Sequence, residues 1–135
     1  MSVFIIAEAG VNHNGSYDLA CRLALEAKKS GANAVKYQTF KADVLVTPDA
    51  GTAEYQKQAV GASKSQYQML KGLELTEEEF ISLRHYCDDI GIAFCTTTFD
   101  PVSTAFAFDK LDLPFVKIPS GEITNCLLYT SDAAD

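Results

Sequence analysis

Thr76-Glu-Glu-Glu-Phe-Ile-Ser-Leu-Arg-His-Tyr-Cys-Asp-Asp-Ile-Gly-Ile-Ala-Phe-Cys-Thr96 is the stretch from which the fold can be read. Thr76 and Glu79 stand three apart, the spacing of a capping box, in which each side chain bonds the other's backbone N–H. Phe80, Leu83, Cys87 and Ile90 then fall on one helical face, and Gly91 supplies the left-handed stop. Residues 92–96 follow at once as a short apolar run of strand character. A helix that runs straight into a strand is half of a β/α repeat.

The same alternation continues on both sides. Downstream, Asp100 before Pro101 is an N-cap with proline at the first helical position, predicting a helix to about Lys110 and a strand over residues 115–118. Upstream, residues 4–7 form an apolar run without alternation, the pattern of a strand covered on both faces. A helix over residues 17–30 follows, with Leu19, Leu23 and Ala27 on one face beside Ala20 and Ala24, Ser16 as cap and Gly31 as stop. Residues 34–37 are the next strand. The order β, α, β, α, β, α, β predicts a parallel sheet with right-handed crossovers, either a barrel or an open doubly wound sheet. Between the second and third strands, residues 41–75 hold Pro48, Gly51, Gly61 and two expected short helices at 53–60 and 65–70. A connection of that length in a compact domain is often functional.

The chain's 135 residues can bury one core, whereas a whole α/β barrel takes about 250. One domain, or a piece of a larger one, is expected. No apolar run approaches the roughly 18 residues of a membrane span. The apolar start is short, lacks a basic lead-in and ends in Glu8, so it does not read as a signal peptide. A cytoplasmic enzyme is expected. The cysteines at 21, 87, 95 and 126 form no C-x-x-C pair and are expected to stay reduced, without a disulfide or zinc site. Eighteen acids against eleven bases give a charge of −7, which opposes attraction to nucleic acid or an anionic membrane. An anionic substrate would therefore need local cations.

Three predicted strands carry a charge at or near the C-terminal end: Glu8, Lys36 and Lys117. One such charge reads equally well as half of a structural ion pair inside the sheet. Three together read as the lining of a site, because parallel α/β folds bind ligands beyond the carboxyl ends of their strands. Lys36 and Lys117 would supply point charges for a carboxylate or phosphate. Glu8, and Glu122 in the turn after the fourth strand, would move protons or orient a sugar hydroxyl. Ser120 and Thr97 add hydroxyls at equivalent turns. His13, in the Asn/Gly-rich turn after the first strand, is open between site contact and a turn role, and His85 is expected on a helix surface. G-x-G-x-x-G and Walker A motifs are both absent, and the sequence shows no metal-ligand spacing.

Ile6-Ala-Glu-Ala-Gly-Val-Asn-His-Asn-Gly15, Val35-Lys-Tyr-Gln-Thr-Phe-Lys-Ala-Asp43, Thr96-Thr-Thr-Phe-Asp100 and Val116-Lys-Ile-Pro-Ser-Gly-Glu122, in this order, resemble the sialic acid synthase family. The resemblance covers about residues 3–125. It implies condensation of phosphoenolpyruvate with N-acetylmannosamine to give N-acetylneuraminate and phosphate, on a (β/α)8 TIM barrel of which residues 1–125 would be the first four strands. By the same resemblance, Lys36, Thr97, Lys117 and Ser120 would hold phosphoenolpyruvate, Gln38 and Glu122 would meet the sugar, and Glu8 is similar to the family's strand-one carboxylate. A divalent metal (Mn or Mg) is implied, with histidine ligands in later strands outside this chain, as is a homodimer. Ser120-Gly121-Glu122 departs from the Ser-Phe-Glu of pseudaminic-type members, leaving an N-acetylneuraminate or a legionaminate type. The stretch Gln38 to Asp43 leans toward the former. Thr98 stands where the family commonly has proline.

Residues 126–135 fit neither the family nor a barrel helix, and resemble the translation of a transposon sequencing adapter, an artefactual tail. Three readings stand: a truncated synthase, inactive alone; a short non-catalytic module that holds phosphoenolpyruvate; and another barrel lyase using Lys36 or Lys117 as a Schiff base.

Overall fold

The computed structural model describes residues 3–46 and 65–125. The helix expected over 53–60 and the tail 126–135 lie outside them. Four strands, β1 (Ile6–Gly10), β2 (Ala34–Thr39), β3 (Ala93–Thr98) and β4 (Val116–Lys117), form one parallel sheet in the order β1-β2-β3-β4. Helices α1 (Tyr17–Lys29), α2 (Ala42–Leu45), α3 (Gln66–Lys71), α4 (Glu77–Ile90) and α5 (Pro101–Lys110) connect them, and a 3-10 turn (Ser120–Glu122) ends the described chain.

Strand order decides between the two expected architectures. A doubly wound sheet reverses its order at a switch point, whereas here each strand pairs with the next in sequence. The sheet also curls. On a flat sheet β1 and β4 would lie about 14 Å apart, three strand spacings, yet the rings of Phe4 and Phe115, just before those strands, meet edge-to-face at 6.1 Å. Sequential parallel strands on a curling sheet are four β/α units of a (β/α)8 barrel.

The helices cover one sheet face. Tyr37 of β2 stacks on Phe94 of β3 with ring centroids 5.5 Å apart, and its hydroxyl donates to the Ala20 carbonyl of α1 at 2.8 Å. Ala20 and Ala24 are the fully buried positions of α1, with Leu19 and Leu23 at the rim of its face. Small side chains there let α1 lie close against β2 and α4. Phe80, Leu83 and Cys87 of α4 complete this core. Both halves of the Thr76–Glu79 capping box form, and Gly91 adopts φ +72° to end α4. Asp100 caps α5 through the Ser103 N–H at 2.8 Å.

Two expectations need correction. The first strand runs over Ile6–Gly10, two to three residues later than the apolar run suggests, and it is not covered on both faces: Ile6 is 43% exposed, and Glu8 on the same face is exposed too. Among the described residues β1 pairs only with β2, which leaves its other edge without a strand partner there. The other strands begin within one residue of expectation, β2 and β3 running two further and β4 being cut to two residues. Short helix α2 has no side-chain cap of its own; Glu74 Oε1 accepts from the Ala42 N–H at 2.6 Å instead. That acceptor stands 32 residues away. No local pattern could announce it. No helix among the described residues is long and apolar enough to cross a membrane.

Candidate functional site

Side chains alternate between the faces of a strand, so the pairing register sorts them. Val35, Tyr37 and Phe94 face the helices. The residues between them face the other way, and the register aligns them in rows across the sheet. Glu8 pairs with Lys36, and Lys36 with Cys95; one pleat further on, Gln38 pairs with Thr97, and Thr97 with Lys117. Five of the seven expected site residues thus share one face, within two rows at the carboxyl ends of the strands.

The rows are linked by contact. Lys36 Nζ lies 2.5 Å from Glu8 Oε2 and donates to Thr97 Oγ1 at 3.1 Å. The ammonium is held from two neighbouring strands, which is what a buried charge requires. Lys36 is only 8% exposed, while Lys117 is exposed and takes part in no ion pair among the described residues. One lysine is preorganised and the other free to meet an anion.

Gly10 lies beside Glu8 and Gln38, in a backbone conformation (φ +55°) that side chains rarely adopt. A Cβ there would lie 3.3 Å from Glu8 Oε1 and 3.6 Å from Gln38 Nε2. Glycine thus lets the two side chains approach the end of β1, and places Glu8 and Gln38 near each other.

Ser120 and Glu122 lie on the 3-10 turn after β4, three and five residues beyond Lys117. Ser120 is exposed, and the Glu122 carboxylate accepts from Asn125 Nδ2 at 2.8 Å. The turn stands at the same end of the sheet, but these two do not touch the Lys36 cluster.

His13 does not join the site. It is fully buried on the helix side, its ring 6.2 Å from that of Tyr37, and its Nδ1 accepts the Gly15 N–H at 3.1 Å. Nδ1 as acceptor places the proton on Nε2, and burial lowers the pKa, so the ring is neutral. His85 is exposed on α4 as expected.

Two further residues bear on the site. Cys95 occupies the Lys36 row, and burial pushes its thiol up to about 11, which keeps it protonated and a poor nucleophile. Only the pairing register reveals it. Asp100, legible as a cap, also accepts from Ser103 Oγ at 2.7 Å and from the Lys41 N–H at 2.9 Å. It thereby ties the turn after β3 to the turn after β2, so that Gln38 and Thr97 emerge in fixed relation.

Among the described residues no group of three or more histidine, cysteine or carboxylate side chains could hold a metal ion. The manganese or magnesium implied by resemblance would need other ligands.

The NeuB family model matches residues 23–133. The N,N'-diacetyllegionaminic acid synthase of Legionella pneumophila is 54% identical over 125 residues, covering 93% of this chain and 35% of that protein. The Campylobacter jejuni protein of the same name is 44% identical, covering 90% of this chain and 36% of its own length. The crystal structure of N-acetylneuraminic acid synthetase from Leptospira borgpetersenii, solved with citrate, superposes with a TM-score of 0.75 at 30% identity, covering 95% of this chain and 40% of that one. The chain spans about a third of the length of these curated relatives.

Proposed function

The chain belongs to the NeuB family, and from that premise we propose that it forms the phosphoenolpyruvate-binding part of a synthase that joins phosphoenolpyruvate to an N-acetylated amino sugar. The observation that carries the proposal is the pair of polar rows, in which two lysines and a threonine hydroxyl from three adjacent strands converge on one open face. An oxyanion with a carboxylate and a phosphate needs two cations and hydroxyl donors at fixed separation, and adjacent strands supply that spacing.

In the proposed reaction the methylene carbon of phosphoenolpyruvate attacks the aldehyde carbon of the open-chain sugar. A carbon–carbon bond forms, and the aldehyde oxygen takes up a proton. Water adds to the cationic carbon that still carries the phosphate, and loses a proton. The carbon–oxygen bond to phosphate then breaks, leaving a keto acid. Lys36, Thr97, Lys117 and Ser120 hold the carboxylate and phosphate throughout, and the charge on the two lysines stabilises the departing phosphate without reorganisation. Gln38 and Glu122 meet the sugar. A homodimer, a divalent metal and a cytoplasmic location belong to the same proposal, and residues 126–135 are proposed to be an adapter-derived tail.

Two acceptors are in view. The two relatives at 54% and 44% identity favour a sugar with two acetamido groups, as their product's name requires. Ser120-Gly121-Glu122 is compatible with either acceptor, and the stretch Gln38 to Asp43 favours N-acetylmannosamine. Phosphate release from phosphoenolpyruvate by the gene product carrying this sequence, measured with each sugar in turn, distinguishes them. No release with either acceptor would overturn the proposal. Borohydride trapping of Lys36 or Lys117 with a carbonyl substrate would instead support a Schiff-base lyase.

A further inference from the structure

We infer that Glu8 is a positioning residue, which aims the Lys36 ammonium at phosphoenolpyruvate and does not itself exchange protons with the substrate; this rests on the reading of the site proposed above. An ammonium has three N–H donors and no acceptor. Lys36 directs one to Glu8 Oε2 at 2.5 Å and one to Thr97 Oγ1 at 3.1 Å, so one remains for a ligand. With two of three donors anchored, the third has a set direction. That converts a flexible point charge into an oriented hydrogen-bond donor.

The neighbouring residues hold Glu8 in turn. It pairs with Lys36 in the strand register, next to an irregularity in β1 between Glu8 and Gly10. The Gly10 backbone lies where a Cβ would stand 3.3 Å from Glu8 Oε1. The Glu8 side chain, 55% exposed, thus has Lys36 on one side and the Gly10 backbone at the end of β1 on the other. Protonation of Glu8 would neutralise the carboxylate that pairs with Lys36, leaving uncompensated the charge of a lysine whose side chain is only 10% exposed.

The pair also divides labour between the lysines. Glu8 and Lys36 together are neutral at long range, so anion attraction falls to Lys117, which is exposed and outside any ion pair among the described residues. Loss of Glu8 should therefore disturb the geometry of the bound anion more than its affinity.

The test compares Glu8→Ala, Glu8→Gln and Glu8→Asp in the intact gene product. The expected kcat loss in Glu8→Ala is about 10- to 100-fold, the effect of a charge-assisted hydrogen bond, with KM for phosphoenolpyruvate changed less than about threefold. Glu8→Gln retains an oxygen for Lys36 and should recover much of the lost rate, with the acid limb of the pH profile in place. A proton-transfer role predicts the reverse: Glu8→Gln as slow as Glu8→Ala, with the limb abolished. That result, or wild-type kcat in Glu8→Ala, overturns the inference.

A second readout is independent of turnover. The 15N resonance of the Lys36 ammonium should persist against solvent exchange in the wild type and in Glu8→Asp, and vanish in Glu8→Ala. Equal persistence in Glu8→Ala would show that Glu8 does not hold the lysine. A wild-type protein that releases no phosphate would sink the proposed function, yet this spectrum would still decide the ion pair.

Discussion

The two faces of the sheet are built from alternate residues of the same strands and obey different rules. On the helix side, Val35, Tyr37 and Phe94 are sealed under α1 and α4, and the Tyr37 hydroxyl has a backbone partner. On the opposite face, Glu8, Lys36, Gln38, Thr97 and Lys117 form rows in which charge is paired or left open to solvent. The β2 segment Val35-Lys-Tyr-Gln contributes to both by alternation alone. Stability and chemistry are thereby separated at a spacing of one residue, and substitutions on one face should leave the other's property intact.

The most damaging test of that separation is Leu83→Ala, in the centre of the α4 face. A fully buried leucine replaced by alanine should cost about 2–5 kcal/mol of unfolding free energy, measured by denaturant titration with circular dichroism. A cost under about 1 kcal/mol would mean that α4 does not seal the helix-side core. The converse substitution is Lys117→Ala on the open face. Phosphate release in the intact protein should fall about 100-fold, with the denaturation midpoint unchanged because the side chain is exposed. Wild-type turnover would remove Lys117 from the site.

Asp100 sharpens the comparison, because it joins the turns at the carboxyl ends of both β2 and β3. Asp100→Ala removes an N-cap and strands the Lys41 N–H, and should cost about 1–2 kcal/mol. Asp100→Asn, which keeps a capping oxygen, should cost less. Equal losses in the two variants would show that the negative charge itself is what matters.

The smallest effect concerns pH. Burial lowers the His13 pKa below its ordinary value of 6.5, so the unfolded chain takes up a proton more readily than the folded one. The contribution of neutral His13 is complete above about pH 6.5 and is lost as pH falls through the depressed folded value. Stability measured between pH 7 and pH 5 should therefore decline, and His13→Phe should flatten the decline. An unchanged slope would assign the pH dependence to other groups.

Much of this was legible in the sequence, for local reasons. Thr76 and Glu79, Asp100 and Pro101, and Ser16 announce helix starts through contacts within four residues. Glu8, Lys36 and Lys117 are conspicuous because a charge at the end of an apolar run demands a reason. What escaped depends on partners distant in sequence. The Glu8–Lys36 pair, the Asp100 bond to Lys41 across 59 residues and the place of Cys95 beside Lys36 all follow from strand pairing. Strand order, too, appears only in the fold; the β/α alternation left barrel and doubly wound sheet open, and the order bears out the barrel that the resemblance implies. His13 escaped for another reason: an Asn/Gly-rich turn carries no sign that its histidine will fold under the sheet against Tyr37.

The most direct measurement is a titration of phosphoenolpyruvate into the wild-type protein and into the Lys36→Ala, Lys117→Ala double variant, followed by 31P NMR, with circular dichroism to verify that both fold alike. The account predicts saturable binding to the wild type and at least a roughly 100-fold weaker affinity in the double variant, since both cations of the open face are gone. Equal affinity in the two proteins would contradict it, and would place the anion elsewhere than on the rows formed by β1 to β4.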